Sequence, residues 1–170
     1  DVGLQRAENQ DDFLVADLGA PTPQDGVLLR PEKHDGRGLA DGEFMLGPMG
    51  ALLIVADGMG GAAAGGLASR LATLWIHQEL AAAWNAERSR TPGVFAAALR
   101  GAAERANGRI HQQSIDNPDF RGMGTTATAA GILDGYLYLA QVGDSRAYLV
   151  RAGEATQLTR DQSVVQALID

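Results

Sequence analysis

The chain has 170 residues, a formal net charge of -7 at neutral pH, 45% hydrophobic residues and only 5% aromatic residues. This length predicts one domain with a sizeable core, and the acidic balance argues against nucleic acid as the main partner, which would need a basic face. The chain contains no cysteine, which excludes disulfides, thiolate catalysis and cysteine-zinc sites and is typical of a cytoplasmic protein. No apolar run approaches the ~20 residues of a transmembrane helix, so we expect no membrane segment in this chain.

The N-terminal third is polar or irregular, with short predicted strands. Residues 1–12 are too polar for a buried strand and place Arg6 beside several acids. A short apolar strand is predicted over 13–16. Residues 21–50 hold four of the six prolines and predict a long connection, with a weak strand at 27–29.

The segment 52–61 organises the rest of the chain. Five apolar residues, 52–56, predict a strand buried on both faces, because no polar residue alternates with them. Asp57 and Gly58 follow directly, and an alanine-rich helix comes next. A strand that ends in this way directs the carboxylate to one fixed place, and the glycine allows other backbone to approach.

Three interpretations of Asp57 remain open from the residues alone. It could cap the following helix, or it could be a metal ligand that needs further carboxylates from elsewhere in the chain. The run 58–63 also fits the dinucleotide-binding fingerprint. That fingerprint requires a second parallel strand ending in an acid about 20 residues on, whereas the acid at this distance, Glu79, lies inside the predicted helix.

Two long helices follow. The first is predicted from about residue 62 to Trp84, with His77 on its flank. The second begins with Thr91 as N-cap and Pro92 at the first position, and extends to about residue 115. Their short link predicts antiparallel packing. The apolar stripes predicted for the two helices are Leu67, Leu71, Leu74, Trp75, Ile76, Leu80, Ala83 and Trp84, and Phe95, Ala98, Leu99, Ala102, Ala106 and Ile110.

A run of antiparallel hairpins completes the chain. Strands are predicted over 125–133 and 136–142, joined by the Asp-Gly pair that favours a two-residue turn. Further strands are predicted over 146–151 and 155–158, and a helix is predicted to start near residue 163. Strands, two long helices and then a strand meander predict an α+β fold, an antiparallel sheet with helices packed on a face.

Four motifs stand out along the chain. They are Arg6-Ala7-Glu8-Asn9-Gln10-Asp11, Asp57-Gly58-Met59-Gly60-Gly61, Gly122-Met123-Gly124-Thr125-Thr126 and Gly143-Asp144-Ser145-Arg146. They resemble, in the family's order and across residues 3–162, the motifs of the type-2C metal-dependent protein phosphatases (the PPM family) of bacterial type.

The resemblance implies a fold and a reaction. The implied fold is an antiparallel β-sandwich with an antiparallel helix pair on each outer side. The implied reaction is hydrolysis of phosphoserine and phosphothreonine esters in proteins, with two Mn²⁺ or Mg²⁺ ions and a water held between them. The implied partners are phosphorylated proteins that are substrates of serine/threonine kinases. Hard oxygen ligands suit these cations, and such a pair activates water without a nucleophilic side chain.

The resemblance also implies roles for individual residues. Asp57 would bridge the two metals, Gly58 would offer its carbonyl, and Asp11 would lie in or next to the coordination shell. Arg6 would clamp the substrate phosphate, since its planar guanidinium gives two charge-assisted hydrogen bonds. Asp119 would hold a possible third metal. An ion pair with a neighbouring acid remains the alternative for Arg6, and a simple turn position remains the alternative for Asp119.

The resemblance has two departures. Gln10 stands where many members have glutamate. The family's later motifs, which supply two more metal ligands, would fall beyond Asp170, so we expect residues 1–170 to be one phosphatase-like domain truncated at its C-terminal end. The competing hypothesis is a catalytically inactive module of the same fold that binds a phosphoprotein or signalling partner.

Overall fold

The computed structural model describes residues 8–31, 45–60, 62–163 and 166. Arg6 therefore lies outside the described residues, as do most of the helix predicted near residue 163 and much of the connection 21–50. The elements, in chain order, are β1 (Asp11–Asp17), α1 (Pro23–Gly26), β2 (Val27–Leu29), β3 (Ala51–Met59), α2 (Ala62–Ala86), α3 (Pro92–Asp116), a 3-10 helix (Pro118–Phe120), β4 (Gly124–Thr125), β5 (Ala127–Leu133), β6 (Tyr136–Val142), β7 (Tyr148–Arg151) and β8 (Glu154–Gln157).

One antiparallel sheet of six strands forms the centre of the molecule. Its order is β2-β1-β3-β5-β6, and β4 pairs with the end of β3. Every strand pair recorded for the described residues is antiparallel. The dinucleotide fingerprint needs parallel strands, and Glu79 is bonded to Arg105 inside the helix layer. The glycines after Asp57 therefore do not belong to such a fingerprint.

The two long helices cover one face of this sheet. Thr91 caps α3 as predicted, accepting a hydrogen bond from the Val94 N–H, and α2 packs against both α3 and the central strands β1 and β3. The core is closed by aromatic residues from three elements: Trp84 meets Phe95 edge-on at 5.0 Å, and Phe95 meets Tyr138 at 5.1 Å. The predicted antiparallel helix pair is confirmed.

Charged groups also join the two helices at their outer side. Glu79 of α2 accepts hydrogen bonds from Arg105 at 2.6 Å and from Arg109 at 3.4 Å. The Arg109 guanidinium also lies 4.0 Å from the centre of the Trp75 ring, an arrangement that favours a cation over an aromatic face. These contacts fix the rotation of α3 relative to α2.

The other face of the sheet is open in the part of the chain that the structure describes. Leu52, Ile54 and Ala56 are buried beneath the helices, whereas Val55 is 52% exposed. The expectation that 52–56 is buried on both faces is therefore wrong here. Residues alternate between the two faces of a strand, and a helix layer covers only one of them.

The prediction that His77 lies on the flank of its helix is also wrong. It is 1% exposed, not a flank residue, and burial lowers the pKa of its imidazole to about 4. Its Nε2 is buried and has no hydrogen-bond partner among the described residues. It borders a small cavity of about 110 Å³ between α2 and the α1–β2 segment.

No helix among the described residues is both long and apolar enough to cross a bilayer.

Candidate metal centre

Two of the predicted ligands face each other at one end of the sheet. Asp11 begins β1 and pairs directly with Asp57 near the end of β3. The neighbouring pair is hydrogen bonded, because the Gly58 N–H donates to the Gln10 carbonyl at 3.1 Å. Hydrogen-bonded and non-hydrogen-bonded pairs alternate along antiparallel strands, so Asp11 and Asp57 form a non-hydrogen-bonded pair, with Cα atoms about 4.5 Å apart and side chains close together.

Both carboxylates lie on the open face of the sheet. Asp12, the next residue in β1, turns toward the helices, where the Thr73 hydroxyl donates a hydrogen bond to its carboxylate. Since successive side chains point to opposite faces, Asp11 points away from α2. Asp57 shares the face of the exposed Val55 for the same reason. The two carboxylates are therefore accessible to a ligand approaching from the open side.

The backbone of Asp57 is held by threonines from the next strands. Its N–H donates to the Thr126 hydroxyl at 3.0 Å, and its carbonyl accepts from the Thr126 N–H at 2.9 Å and from the Thr125 hydroxyl at 3.0 Å. The Thr126 hydroxyl lies 2.7 Å from that of Ser145. A chain of polar contacts thus runs from the Gly143–Arg146 turn to the backbone of Asp57, and it fixes the point from which the carboxylate projects.

The Gly143–Arg146 turn also makes contacts that hold the chain locally. Gly143 has a positive φ of 92°, and a Cβ there would lie 2.8 Å from the Thr126 side chain. Arg146 forms a bidentate ion pair with Asp161, in which the Arg146 Nε and Nη2 lie 2.8 and 2.6 Å from the two carboxylate oxygens. Hydrogen bonding in this pair raises the pKa of Arg146 and lowers the pKa of Asp161.

Gly58 and Gln10 join this end of the sheet to α2. The Gln10 carbonyl also accepts a hydrogen bond from the Ser69 hydroxyl at 2.6 Å, and the Gln10 side chain lies against Gly65. Sequence reasoning missed the supporting roles of Ser69, Thr73, Thr126 and Ser145. Thr126 and Ser145 each belong to a quoted motif, which was the available signal, whereas Ser69 and Thr73 lie in the alanine-rich helix outside the four motifs.

Asp119 does not belong to a cluster of carboxylates among the described residues. It is exposed in the 3-10 helix, where its N–H donates to the Asn117 side chain at 3.0 Å. No cluster of three or more histidine or acidic residues suited to a metal occurs in the described ranges. This geometry favours the turn interpretation of Asp119, while Asp11 and Asp57 form a two-carboxylate centre.

Comparison with known proteins places the chain in a class and a family. An antiparallel α+β fold with opposed carboxylates at a strand end is a framework for binding hard divalent cations. The sequence profile of the family described as protein phosphatase 2C matches residues 42–165, and the chain belongs to that family. This confirms the resemblance drawn from the four motifs.

Characterised relatives are bacterial enzymes. The chain is 40% identical over 146 residues to the serine/threonine protein phosphatase PstP of Mycobacterium tuberculosis, covering 85% of this chain and 27% of that protein. It is 38% identical over 118 residues to the protein phosphatase PhpP of Streptococcus pneumoniae, covering 69% of this chain and 46% of that protein. The chain thus spans less than half the length of these relatives.

Solved structures support the same fold. The catalytic domain of PstP, crystallised in complex with two manganese ions, superimposes with a TM-score of 0.63 at 35% identity, covering 99% of this chain and 56% of that one. The serine/threonine phosphatase of S. agalactiae gives a TM-score of 0.71 at 29% identity, with 99% of this chain and 56% of that one covered. The predicted antiparallel α+β fold is confirmed.

Proposed function

We propose that this chain forms part of the catalytic centre of a metal-dependent protein serine/threonine phosphatase, which hydrolyses phosphoserine and phosphothreonine esters. The observation that carries the proposal is the direct opposition of Asp11 and Asp57 across β1 and β3. Like charges directly opposite each other on a sheet repel. A divalent cation between them would offset that repulsion.

The donor set fits Mn²⁺ or Mg²⁺. Carboxylate and backbone oxygens are the ligands that hard divalent cations prefer, and the chain offers no thiolate to favour softer metals. Asp57 and the Gly58 carbonyl would hold two such cations together with Asp11. When bound, the cations supply Lewis-acid activation of water and neutralise charge on the phosphoryl group.

The protein's own residues would position the substrate and the carboxylates. The Thr126 hydroxyl, which itself contacts the Ser145 hydroxyl, accepts a hydrogen bond from the Asp57 N–H, so the backbone that carries the carboxylate is placed before a ligand arrives. Arg6 would clamp the phosphate through paired N–H donors. The substrates would be cytoplasmic proteins that serine/threonine kinases have phosphorylated. The name of the M. tuberculosis relative supports serine and threonine as the target residues.

Metal binding and turnover test the proposal separately. In the natural protein, Asp57→Asn should abolish tight Mn²⁺ binding in calorimetric titration and abolish phosphopeptide hydrolysis. Arg6→Ala should reduce turnover while Mn²⁺ binding persists. Asp134→Asn, in the exposed β5–β6 turn, is the matched control and should change neither.

Two results would contradict the assignment. Unchanged Mn²⁺ affinity in Asp57→Asn would show that the carboxylate is not a ligand. Mn²⁺ binding by the natural protein with no hydrolysis of any phosphopeptide would favour the inactive binding module.

A further inference from the structure

The face of α2 that packs on the sheet carries two buried hydroxyl groups one helical turn apart. Ser69 is 1% exposed and Thr73 is 2% exposed. Positions i and i+4 lie one above the other on the same face of a helix. Buried hydroxyl groups are hydrogen bonded as a rule, so their partners show which part of the molecule this pair holds.

The two hydroxyls bind the residues on either side of Asp11 in the sequence. The Ser69 hydroxyl donates to the Gln10 carbonyl at 2.6 Å, which is closer than the 3.2 Å to a carbonyl of its own helix. The Thr73 hydroxyl donates to the carboxylate of Asp12, and this contact is also closer than its 3.1 Å contact with a helix carbonyl. Both side chains therefore tie α2 to the start of β1.

The Gln10 carbonyl joins three elements at one oxygen atom. Besides the Ser69 hydroxyl, it accepts the Gly58 N–H at 3.1 Å, and a carbonyl oxygen has two lone pairs with which to accept both bonds. The oxygen thus connects β1, β3 and α2 directly beside the opposed carboxylates. Loss of the Ser69 hydroxyl would leave residue 10 tied to β3 alone at this oxygen.

The start of β1 has reason to need this support. Among the described strands, β2 pairs with β1 only at Val15 and Ala16, so Asp11 and Asp12 have a neighbouring strand, β3, on one side only. Asp11 also lies directly opposite Asp57, and like charges in that position repel. Without a cation, this repulsion acts to separate the first residues of β1 from β3.

We infer that Ser69 and Thr73 are positioning residues for the metal centre, which hold the backbone on both sides of Asp11 in place beside Asp57 before a cation binds. The inference rests on the proposed function, because it gives α2 a part in metal binding by that same site. Groups that orient metal ligands raise affinity, since less of the site has to be ordered when the metal arrives. Both hydroxyls act through β1.

This role predicts a specific kinetic pattern. A loosened site loses metal affinity, because part of the binding free energy is used to order the ligands. Once the site is saturated with metal, its geometry is restored and turnover recovers. A substitution that only lowers the stability of the fold leaves the metal affinity of the folded protein unchanged, so the two effects are distinguishable.

Hydroxyl deletions in the natural protein test the inference. Ser69→Ala and Thr73→Val should each weaken Mn²⁺ binding by about tenfold, a usual loss for groups that orient metal ligands. Calorimetry and the Mn²⁺ dependence of phosphopeptide hydrolysis measure this loss, and turnover at saturating Mn²⁺ should stay close to that of the wild type. Thr73→Ser keeps the hydroxyl and should retain most of the affinity.

A core substitution on the same helix is the matched control. Ile76 is 2% exposed, and Ile76→Val lowers stability through lost packing alone, so it should leave Mn²⁺ affinity unchanged. Without metal, hydrogen exchange over residues 8–17 and 51–59 should be faster in Ser69→Ala and Thr73→Val than in Ile76→Val. This measurement needs neither metal nor substrate.

A double-mutant cycle tests the path from Thr73 to the site. Asp12→Ala removes the acceptor of the Thr73 hydroxyl, so Thr73→Val should cause little further loss of Mn²⁺ affinity in that background. A full additional loss would show that Thr73 does not act through Asp12, and would overturn its role.

The remaining outcomes separate this inference from the proposed function. If Asp57→Asn abolishes Mn²⁺ binding while Ser69→Ala and Thr73→Val bind Mn²⁺ like the wild type, the inference is wrong and the proposed function stands. An equal loss of affinity in Ile76→Val, or reduced turnover at saturating Mn²⁺ with unchanged affinity, would also overturn it. Normal Mn²⁺ binding by Asp57→Asn would overturn both.

Discussion

The contact between β3 and the first turns of α2 depends on the absence of a side chain at Gly58. A Cβ at this position would lie 2.1 Å from the Gly65 carbonyl oxygen and 3.0 Å from the Gln10 carbonyl oxygen. Both neighbours are backbone atoms, which cannot move aside by changing rotamer. Gly58 therefore sets how closely the Asp57 end of β3 approaches the helix.

We expect Gly58→Ala to reduce the free energy of unfolding by roughly 1–3 kcal/mol or more, because the added methyl group overpacks a fixed backbone contact. Chemical denaturation measures the change. Gly66→Ala is the matched control, since a Cβ there meets nothing within 4 Å. It should raise stability by about 0.5–1 kcal/mol, as alanine does in a helix interior. Equal effects of the two substitutions would contradict the assigned contact.

The position of Asp57 also depends on the hydroxyl group of Thr126, which accepts a hydrogen bond from the Asp57 N–H. Thr126→Val keeps the shape of the side chain but leaves the Asp57 N–H without its acceptor, which costs about 1–3 kcal/mol when the group is buried. We expect lower stability and weaker Mn²⁺ binding, measured by denaturation and calorimetry. Thr126→Ser retains the hydroxyl and should preserve most of the metal affinity. Wild-type Mn²⁺ affinity in the valine variant would show that this hydrogen bond does not position the carboxylate.

His77 should make the stability of the protein depend on pH. Its folded-state pKa, about 4, lies below the ordinary value near 6.5, so the unfolded chain binds more protons between these two values. Stability is therefore highest above about pH 6.5 and falls as the pH is lowered toward 4, by at most roughly 3 kcal/mol from this residue.

Denaturation curves at several pH values test this dependence. His77→Gln should flatten the slope of stability between about pH 6.5 and 4. His111→Gln, at an exposed position on α3, should leave the slope unchanged. A slope that persists in His77→Gln would show that other groups cause the loss of stability in acid.

At the scale of the element, α2 shows how far a sequence pattern predicts packing. Its period and its limits were predicted to within a few residues, but the buried face is centred on Ala68, Ala72, Ile76 and Leu80. Leu67, Leu71 and Leu74, predicted in the stripe, are partly buried at its margin. An alanine-rich helix gives a weak amphipathic signal, because alanines occur on every face and do not identify the one that packs.

Two substitutions on α2 distinguish its core from its margin. Leu80 is 0% exposed, so Leu80→Ala should cost about 2–5 kcal/mol of unfolding free energy. Leu71→Ala, at a partly exposed position, should cost clearly less. Thermal or chemical denaturation measures both, and a larger loss at Leu71 would show that the helix is rotated from the position described here.

Some features of the candidate site follow from local sequence patterns, and others depend on the tertiary fold. Asp57 and Gly58 were identified because a strand end followed by glycine is a local pattern. The pairing of Asp11 with Asp57 depends on strand register, and the contact of Ser145 with Thr126 joins residues 19 positions apart. Periodicity and motif spacing do not specify contacts of that kind, which arise from the tertiary fold.

At the scale of the whole molecule, the sheet has one covered face and one face that carries the candidate metal centre. The open face also exposes the apolar side chains of Val55, at 52%, and Leu137, at 45%. The chain covers 55–56% of the PstP structures with which it superimposes. We therefore propose that segments beyond these 170 residues cover this face in the natural protein.

The proposed truncation also predicts the activity of residues 1–170 alone. The described ranges bring together two carboxylates but no group of three, and Mg²⁺ binds weakly unless carboxylates or phosphates replace its waters. We expect the isolated 170-residue chain to hydrolyse phosphopeptides far more slowly than the longer natural protein at saturating Mn²⁺.

Calorimetry should show weaker Mn²⁺ binding to the isolated chain, and circular dichroism should first establish that it is folded. Because each lost carboxylate removes both negative charge and a fixed oxygen, the deficit should be larger with Mg²⁺, which demands a more regular coordination shell. Equal rates for the two proteins would mean that Asp11, Asp57 and Gly58 suffice, and that the two-metal mechanism inferred from the family does not apply.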